Sequence, residues 1–164
     1  IGTGLVGSEM CIRDSATSSP LTDGAVCMLV CSSEFAEKNG LEPLARIVTS
    51  AVTGCPPNMM GIGPISSTQK ALERSGWHIN DIDVFEINEA FSSQSIAVIN
   101  ELSIDYQKVN IDGGAISIGH PLGASGARIV GKAASILNRT NSERAIATMC
   151  IGGGMGITIV LESP

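Results

Sequence analysis

Aromatic side chains are nearly missing: three Phe, one Tyr and one Trp make up 3% of 164 residues. Any core must therefore be aliphatic, built from Ile, Val, Leu, Ala and Met. Charge is also scarce, at 16%, and the formal net charge is −6. With no basic surplus, a general nucleic-acid footprint is excluded. No apolar run approaches the ~20 residues that span a bilayer, so no membrane span is expected. The N-terminus lacks a basic start followed by an apolar stretch, so no signal peptide is expected. The five cysteines form no CxxC pair and are odd in number. Cys27, Cys31, Cys55 and Cys150 read as reduced intracellular thiols, which points to a cytoplasmic setting. Histidine occurs twice, at positions 78 and 120.

What is present is 43% hydrophobic residue and 19 glycines, enough for one domain with a real core. Residues 1–15 show no period and read as a non-native lead segment, which sets Cys11 and Arg13 aside; residues 16–164 form the domain. Ala25–Cys31 is a continuous apolar run, as in a strand buried on both faces. Ser32 or Ser33 caps a short helix through Lys38, closed by Gly40. Ala45–Val52 reads as a strand, 54–64 as an irregular loop, and Ser66–Ser75 as a helix capped by Ser66 or Ser67. A strand at Ile82–Ile87, a helix at Ala90–Leu102, a helix from Ala124 to Asn138 and strands at Arg144–Cys150 and Ile157–Glu162 follow. Strands alternating with helices imply an α/β layered fold.

Chemistry concentrates in three segments: Asn88-Glu-Ala-Phe91, Gly119-His-Pro121 and Cys150-Ile-Gly-Gly-Gly-Met-Gly156. Each lies where one element hands over to the next, the place where α/β folds bind ligands. Each also has an ordinary reading. Asn88 suits a helix N-cap, and Glu89 suits a first helical turn. His120 could simply bond the backbone of its loop, and Cys150 could be an inert buried thiol. Met59, Met60 and Met155 fit as gap fillers, His78 as a solvated turn residue and Asp23 as a turn former with Gly24. A histidine held between Gly119 and Pro121, and a thiol before a glycine run, suggest paired acid/base or nucleophilic work.

Taken together and in order, five motifs carry a resemblance. They are Ser18-Ser-Pro-Leu-Thr-Asp-Gly-Ala25, Met60-Gly-Ile-Gly-Pro64, Asn88-Glu-Ala-Phe91, Gly113-Gly-Ala-Ile-Ser-Ile-Gly-His-Pro-Leu-Gly-Ala-Ser-Gly-Ala-Arg128 and Cys150-Ile-Gly-Gly-Gly-Met-Gly156. In these the chain resembles the C-terminal half of the thiolases, which make or cleave 3-ketoacyl-coenzyme A thioesters. The resemblance implies a layered thiolase-like fold with a mixed five-stranded sheet covered by helices. It implies His120 as the base for a nucleophilic cysteine, Cys150 as the second acid/base and Asn88 as holder of an oxyanion-hole water. It implies the Gly152 backbone N–H in a second oxyanion hole, Ser19 against the pantetheine arm, and Met60 and Phe91 lining the acyl pocket.

The same resemblance implies absences. The nucleophilic cysteine belongs to the N-terminal half, and Cys27, Cys31 and Cys55 do not stand in its motif. Coenzyme A and acyl-CoA would be substrates, with no permanently bound cofactor and no metal. The partner would be the missing N-terminal half, and the complete enzyme a homo-oligomer in the cytoplasm, or in an organellar matrix in a eukaryote. Condensing relatives that carry a second histidine in place of Cys150 are a neighbouring branch. The other reading is a non-catalytic half-domain that only binds its partner half.

Overall fold

The computed structural model describes residues 17–164. The lead segment 1–15 and Ala16 lie outside the described residues. The order of elements is α1 (Ser33–Lys38), β1 (Arg46–Gly54), a 3-10 stretch (Pro57–Ile62), α2 (Gly63–Ser75), β2 (Val84–Ile87), α3 (Ser92–Glu101), α4 (Ala115–Ile118), α5 (Leu122–Thr140), β3 (Arg144–Ile151) and β4 (Met155–Glu162).

The sheet has the order β1-β4-β3-β2. β4 runs antiparallel to both β1 and β3, and β2 runs parallel to β3, so the sheet is mixed. Strand periodicity sends alternate side chains to opposite faces. Phe85, Ile87, Ile146 and Val160 face one layer, where they meet Ala71 and Leu72 of α2 and Val98 and Ile99 of α3. Val84, Ala145, Ala147 and Leu161 face the other, against Ile129, Ala133 and Leu137 of α5. Both layers are aliphatic apart from Phe85 and the partly buried Trp77, as the shortage of aromatics requires. Small alanines at 133, 145 and 147 let α5 lie close on the sheet. The parallel pair β2 and β3 has both carboxyl ends at one edge, and that edge carries Asn88 and Cys150.

Four strands form the sheet, not the expected five. Ala25–Cys31 is the one lost. It makes no strand ladder among the described residues, and Leu29 is 70% and Val30 68% exposed. An apolar run becomes a buried strand only when neighbours cover its edges and faces. Here it touches one side only, with Gly24 against Pro121 and Met28 against Gly131.

Smaller corrections share a cause, which is tertiary context overriding local signals. α2 starts at Gly63, with Ile62 in the cap position and no side-chain cap. Ser67, placed inside the helix instead, shares hydrogen bonds with Pro64 and Thr158 across the core, and Ser66 bonds Gly63 and Thr53. The 54–64 stretch is largely 3-10 rather than irregular. Met59 and Met155 are 51% and 38% exposed, so they fill no core gap. No turn or bend forms at Asp23-Gly24. The short α1 is as expected, with Ser32 accepting from Phe35 N–H.

Candidate active site

The site is built at the carboxyl edge from the end of β2, the 110–121 loop, the start of α5 and the end of β3. Asn88 follows β2 directly, and its N–H bonds Thr148 O of β3. It is 1% exposed. It does not cap α3, because that position falls on Phe91. Freed from capping, its Nδ2 lies 3.2 Å from His120 Nε2. The other His120 nitrogen, Nδ1, lies 2.6 Å from Ser125 Oγ.

Ser125 decides the tautomer. Its hydroxyl donates to Pro121 O at 3.0 Å. A hydroxyl has one proton, so Oγ must accept from Nδ1–H. Nε2 therefore carries the lone pair and accepts from the Asn88 amide, which leaves it as the ring's basic atom. Burial, helped by the Arg128 charge, lowers the His120 pKa below 6.5. The ring is thus neutral, and basic, at physiological pH.

Glu89 is no first-turn carboxylate either. Its two oxygens accept from Asn110 Nδ2 at 2.7 Å and Ile116 N–H at 3.0 Å. Asn110, with φ 46°, bonds the Ile87 N–H and C=O through its own amide. Gly114 must be glycine because a Cβ there would overlap the Glu89 carboxylate. Gly119 has φ 92°, a left-handed value that glycine takes without steric cost, and a Cβ would strike Thr22. Thr22 Oγ1 in turn accepts from His120 N–H at 3.3 Å. The loop is therefore fixed on three sides before it delivers the imidazole.

Cys150 lies near the end of β3, two residues past Thr148, and is 6% exposed. Burial raises its thiol above the ordinary value, partly opposed by a backbone hydrogen bond. No cation among the described residues opposes this rise, so the thiol holds its proton at neutral pH. Gly152 sits exposed in the β3–β4 reversal, with open space where a Cβ would be. Ser19 bonds Ala90 O through both N–H and hydroxyl, and Ser18 bridges Phe91. Phe91 is 44% exposed and Met60 half-buried. Asn88 and His120 are thus in contact, Cys150 is on the adjacent strand, and Ser19 and Phe91 are neighbours. Met60 lies on the 3-10 stretch, its carbonyl 3.9 Å from Cys55 Sγ, and Cys55 in turn is near enough to help raise the Cys150 thiol. Sequence reasoning missed Ser125, Thr22, Glu89 and Asn110. Only the five-residue spacing from His120 to Ser125, one helical turn into α5, could have signalled the first. Among the described residues no cluster of His, Cys, Asp or Glu could hold a metal ion.

The family model described as thiolase, C-terminal domain, matches residues 41–163. This chain belongs to the thiolase family. It is 45% identical over 150 residues to an acetyl-CoA acetyltransferase of Chromobacterium violaceum, covering 92% of this chain and 38% of that one. It is 46% identical to the cytosolic acetyl-CoA acetyltransferase of Mus musculus, covering 90% of this chain and 37% of that one. Among solved structures, human mitochondrial 3-ketoacyl-CoA thiolase matches with a TM-score of 0.79 and 44% identity, covering 81% of this chain and 34% of that one. A structure of that human enzyme in complex with CoA matches equally in TM-score, at 0.79. The chain therefore spans about two fifths of the length of the curated relatives it matches. Its α/β fold is the one those structures share, and no helix among the described residues is long and apolar enough to cross a membrane.

Proposed function

We propose that this domain supplies the acid/base half of a thiolase active site, acting on acyl-CoA thioesters by reversible Claisen condensation or thiolytic cleavage. The observation that carries the reading is the Ser125–His120–Asn88 chain, which fixes a neutral imidazole with Nε2 as its basic atom on a pinned loop. The nucleophile is a cysteine of the N-terminal half, which is the partner this chain requires.

The chemistry follows from the groups in place. In condensation, His120 Nε2 takes the proton of that cysteine thiol, and the thiolate attacks the acyl thioester and expels the coenzyme A thiolate. Cys150 gives its proton to that departing thiolate, then as a thiolate removes the α-proton of a second acyl-CoA, and the resulting carbanion attacks the acyl-cysteine carbonyl and releases the enzyme thiolate, which takes its proton back from His120. Cleavage runs these steps in reverse, with the Cys150 thiol returning a proton to the α-carbon. Its raised pKa suits that donor role at neutral pH. Developing oxyanions need fixed donors. Asn88, holding a water with His120, serves the enolate, and Gly152 N–H together with the N–H of the nucleophile serves the tetrahedral centre. Ser19 lies along the pantetheine arm, and Met60 and Phe91 line the acyl pocket. Coenzyme A is a substrate, and the chain needs no metal and no resident cofactor. The completed enzyme is a homo-oligomer of the cytoplasm or an organellar matrix, and residues 1–15 take no part.

A second reading, a non-catalytic half-domain, is favoured by one observation, the uncovered apolar segment 24–31. One assay separates the two. The chain alone, given acetoacetyl-CoA and coenzyme A, is expected to show no thiolysis above background, because no acyl-enzyme can form. Adding a thiolase N-terminal half in trans is expected to restore loss of the 3-keto thioester in a Cys150-dependent manner. A stable complex with no turnover would establish the second reading instead.

A further inference from the structure

Glu86 is the anomaly of the fold. It sits in the middle of β2, between Phe85 and Ile87, and is 2% exposed. Its Oε1 has no hydrogen-bond partner among the described residues. A buried carboxylate oxygen without such a partner is destabilising, and an aliphatic residue would serve the sheet better. Its side chain points to the α5 side, where Lys132 Nζ stands 3.8 Å from Oε1. The same Nζ donates to Gly113 O at 2.6 Å.

Lys132 belongs to a stripe. Arg128, Lys132 and Arg139 lie along one face of α5, and each grips the loop that carries His120. Arg128 donates to Gly119 O at 2.7 Å, and Arg139 meets Asp112 through both carboxylate oxygens at 2.9 and 3.0 Å. The two arginine contacts hold the loop's ends near Asp112 and Gly119. The lysine contact alone has a buried countercharge behind it.

We propose that Glu86 and Lys132 form a positioning pair for His120: the buried carboxylate of β2 anchors the lysine ammonium, and the ammonium ties Gly113 O so that the loop presents the imidazole to Asn88. This deepens the thiolase reading by naming positioning residues behind its base. Glu86 is faced by Lys132 and Arg128 from α5, by Asp112 from the loop and by Glu89 from the end of β2. Burial pushes its pKa up to about 7, against the pull of Lys132. Below that pH the carboxyl is neutral and the ammonium stands without its countercharge. Above it the carboxylate forms and the pin tightens.

The test reads the loop, not catalysis, so its result stands or falls separately from the trans assay. Use the full chain with His78→Gln, which leaves His120 as the sole imidazole. Follow the His120 ring nitrogens and the 113–119 amides by NMR across pH 5.5–8.5. In the unsubstituted background the loop amides are expected to show an inflection near pH 7, with exchange protection rising above it. Glu86→Gln is expected to abolish that inflection. Lys132→Met is expected to accelerate loop exchange by about tenfold or more, the loss of one charged hydrogen bond, and to mix the His120 tautomers. Lys132→Arg is expected to restore both. Loop amides with no inflection, one that persists in Glu86→Gln, or protection in Lys132→Met lost only in step with the core would overturn the proposal. The titration needs no further variant, so it decides the matter even if a substitution prevents folding.

Discussion

In the completed enzyme, His120→Ala is expected to lower kcat for thiolysis by roughly 10²–10⁴-fold, the usual contribution of a positioned general base, with KM little changed. Nε2 is the one basic atom of the ring, and it takes the nucleophile's proton once the Asn88 amide that it accepts from gives way. The pH profile should carry the same signature. Neutral imidazole is the active form, and its pKa is lowered by burial. Activity should therefore hold as pH falls toward 6.5 and collapse only below it, as the ring gains a proton. Asn88→Ala is expected to cost less than His120→Ala and to leave the acid limb in place, because burial and Arg128 set it. A loss under tenfold for His120→Ala in steady-state thiolysis would remove His120 from the chemistry.

The isolated chain is expected to self-associate through residues 24–31. Val26, Met28, Leu29 and Val30 are 41%, 39%, 70% and 68% exposed on a segment with no ladder partner among the described residues. Contiguous exposed apolar side chains on a segment outside any sheet favour association. Light scattering should show species larger than one chain at high concentration. Leu29→Lys with Val30→Glu should return the chain to monomer and weaken its capture of the N-terminal half. A strictly monomeric parent chain at high concentration would contradict this.

Much of this molecule was legible in its sequence because local and global signals agree there. β1, β2, β3 and β4 fell within a few residues of the expected runs, and α5 began two residues before Ala124. The glycine spacing around His120 pointed correctly to a tight loop. Its reason became visible only in three dimensions, where Gly114 makes room for Glu89 and Gly119 for Thr22. Contacts between residues far apart in the chain leave no local trace. Asn88 illustrates this: a strand followed by Asn reads as a cap, and nothing near it in sequence tells of a histidine 32 residues on. Ala25–Cys31 failed for the opposite reason. Its composition describes the environment of a buried strand, and the described residues do not provide that environment.

The measurement that bears most directly on the account is a crystal structure of this chain complexed with a thiolase N-terminal half and acetyl-CoA. His120 Nε2 and Cys150 Sγ should both lie near hydrogen-bond reach of the reacting thioester, with Asn88 beside them and Ser19 along the pantetheine arm. An imidazole and thiol more than about 10 Å apart, unable to share one substrate, would contradict the assignment of both to a single reaction centre.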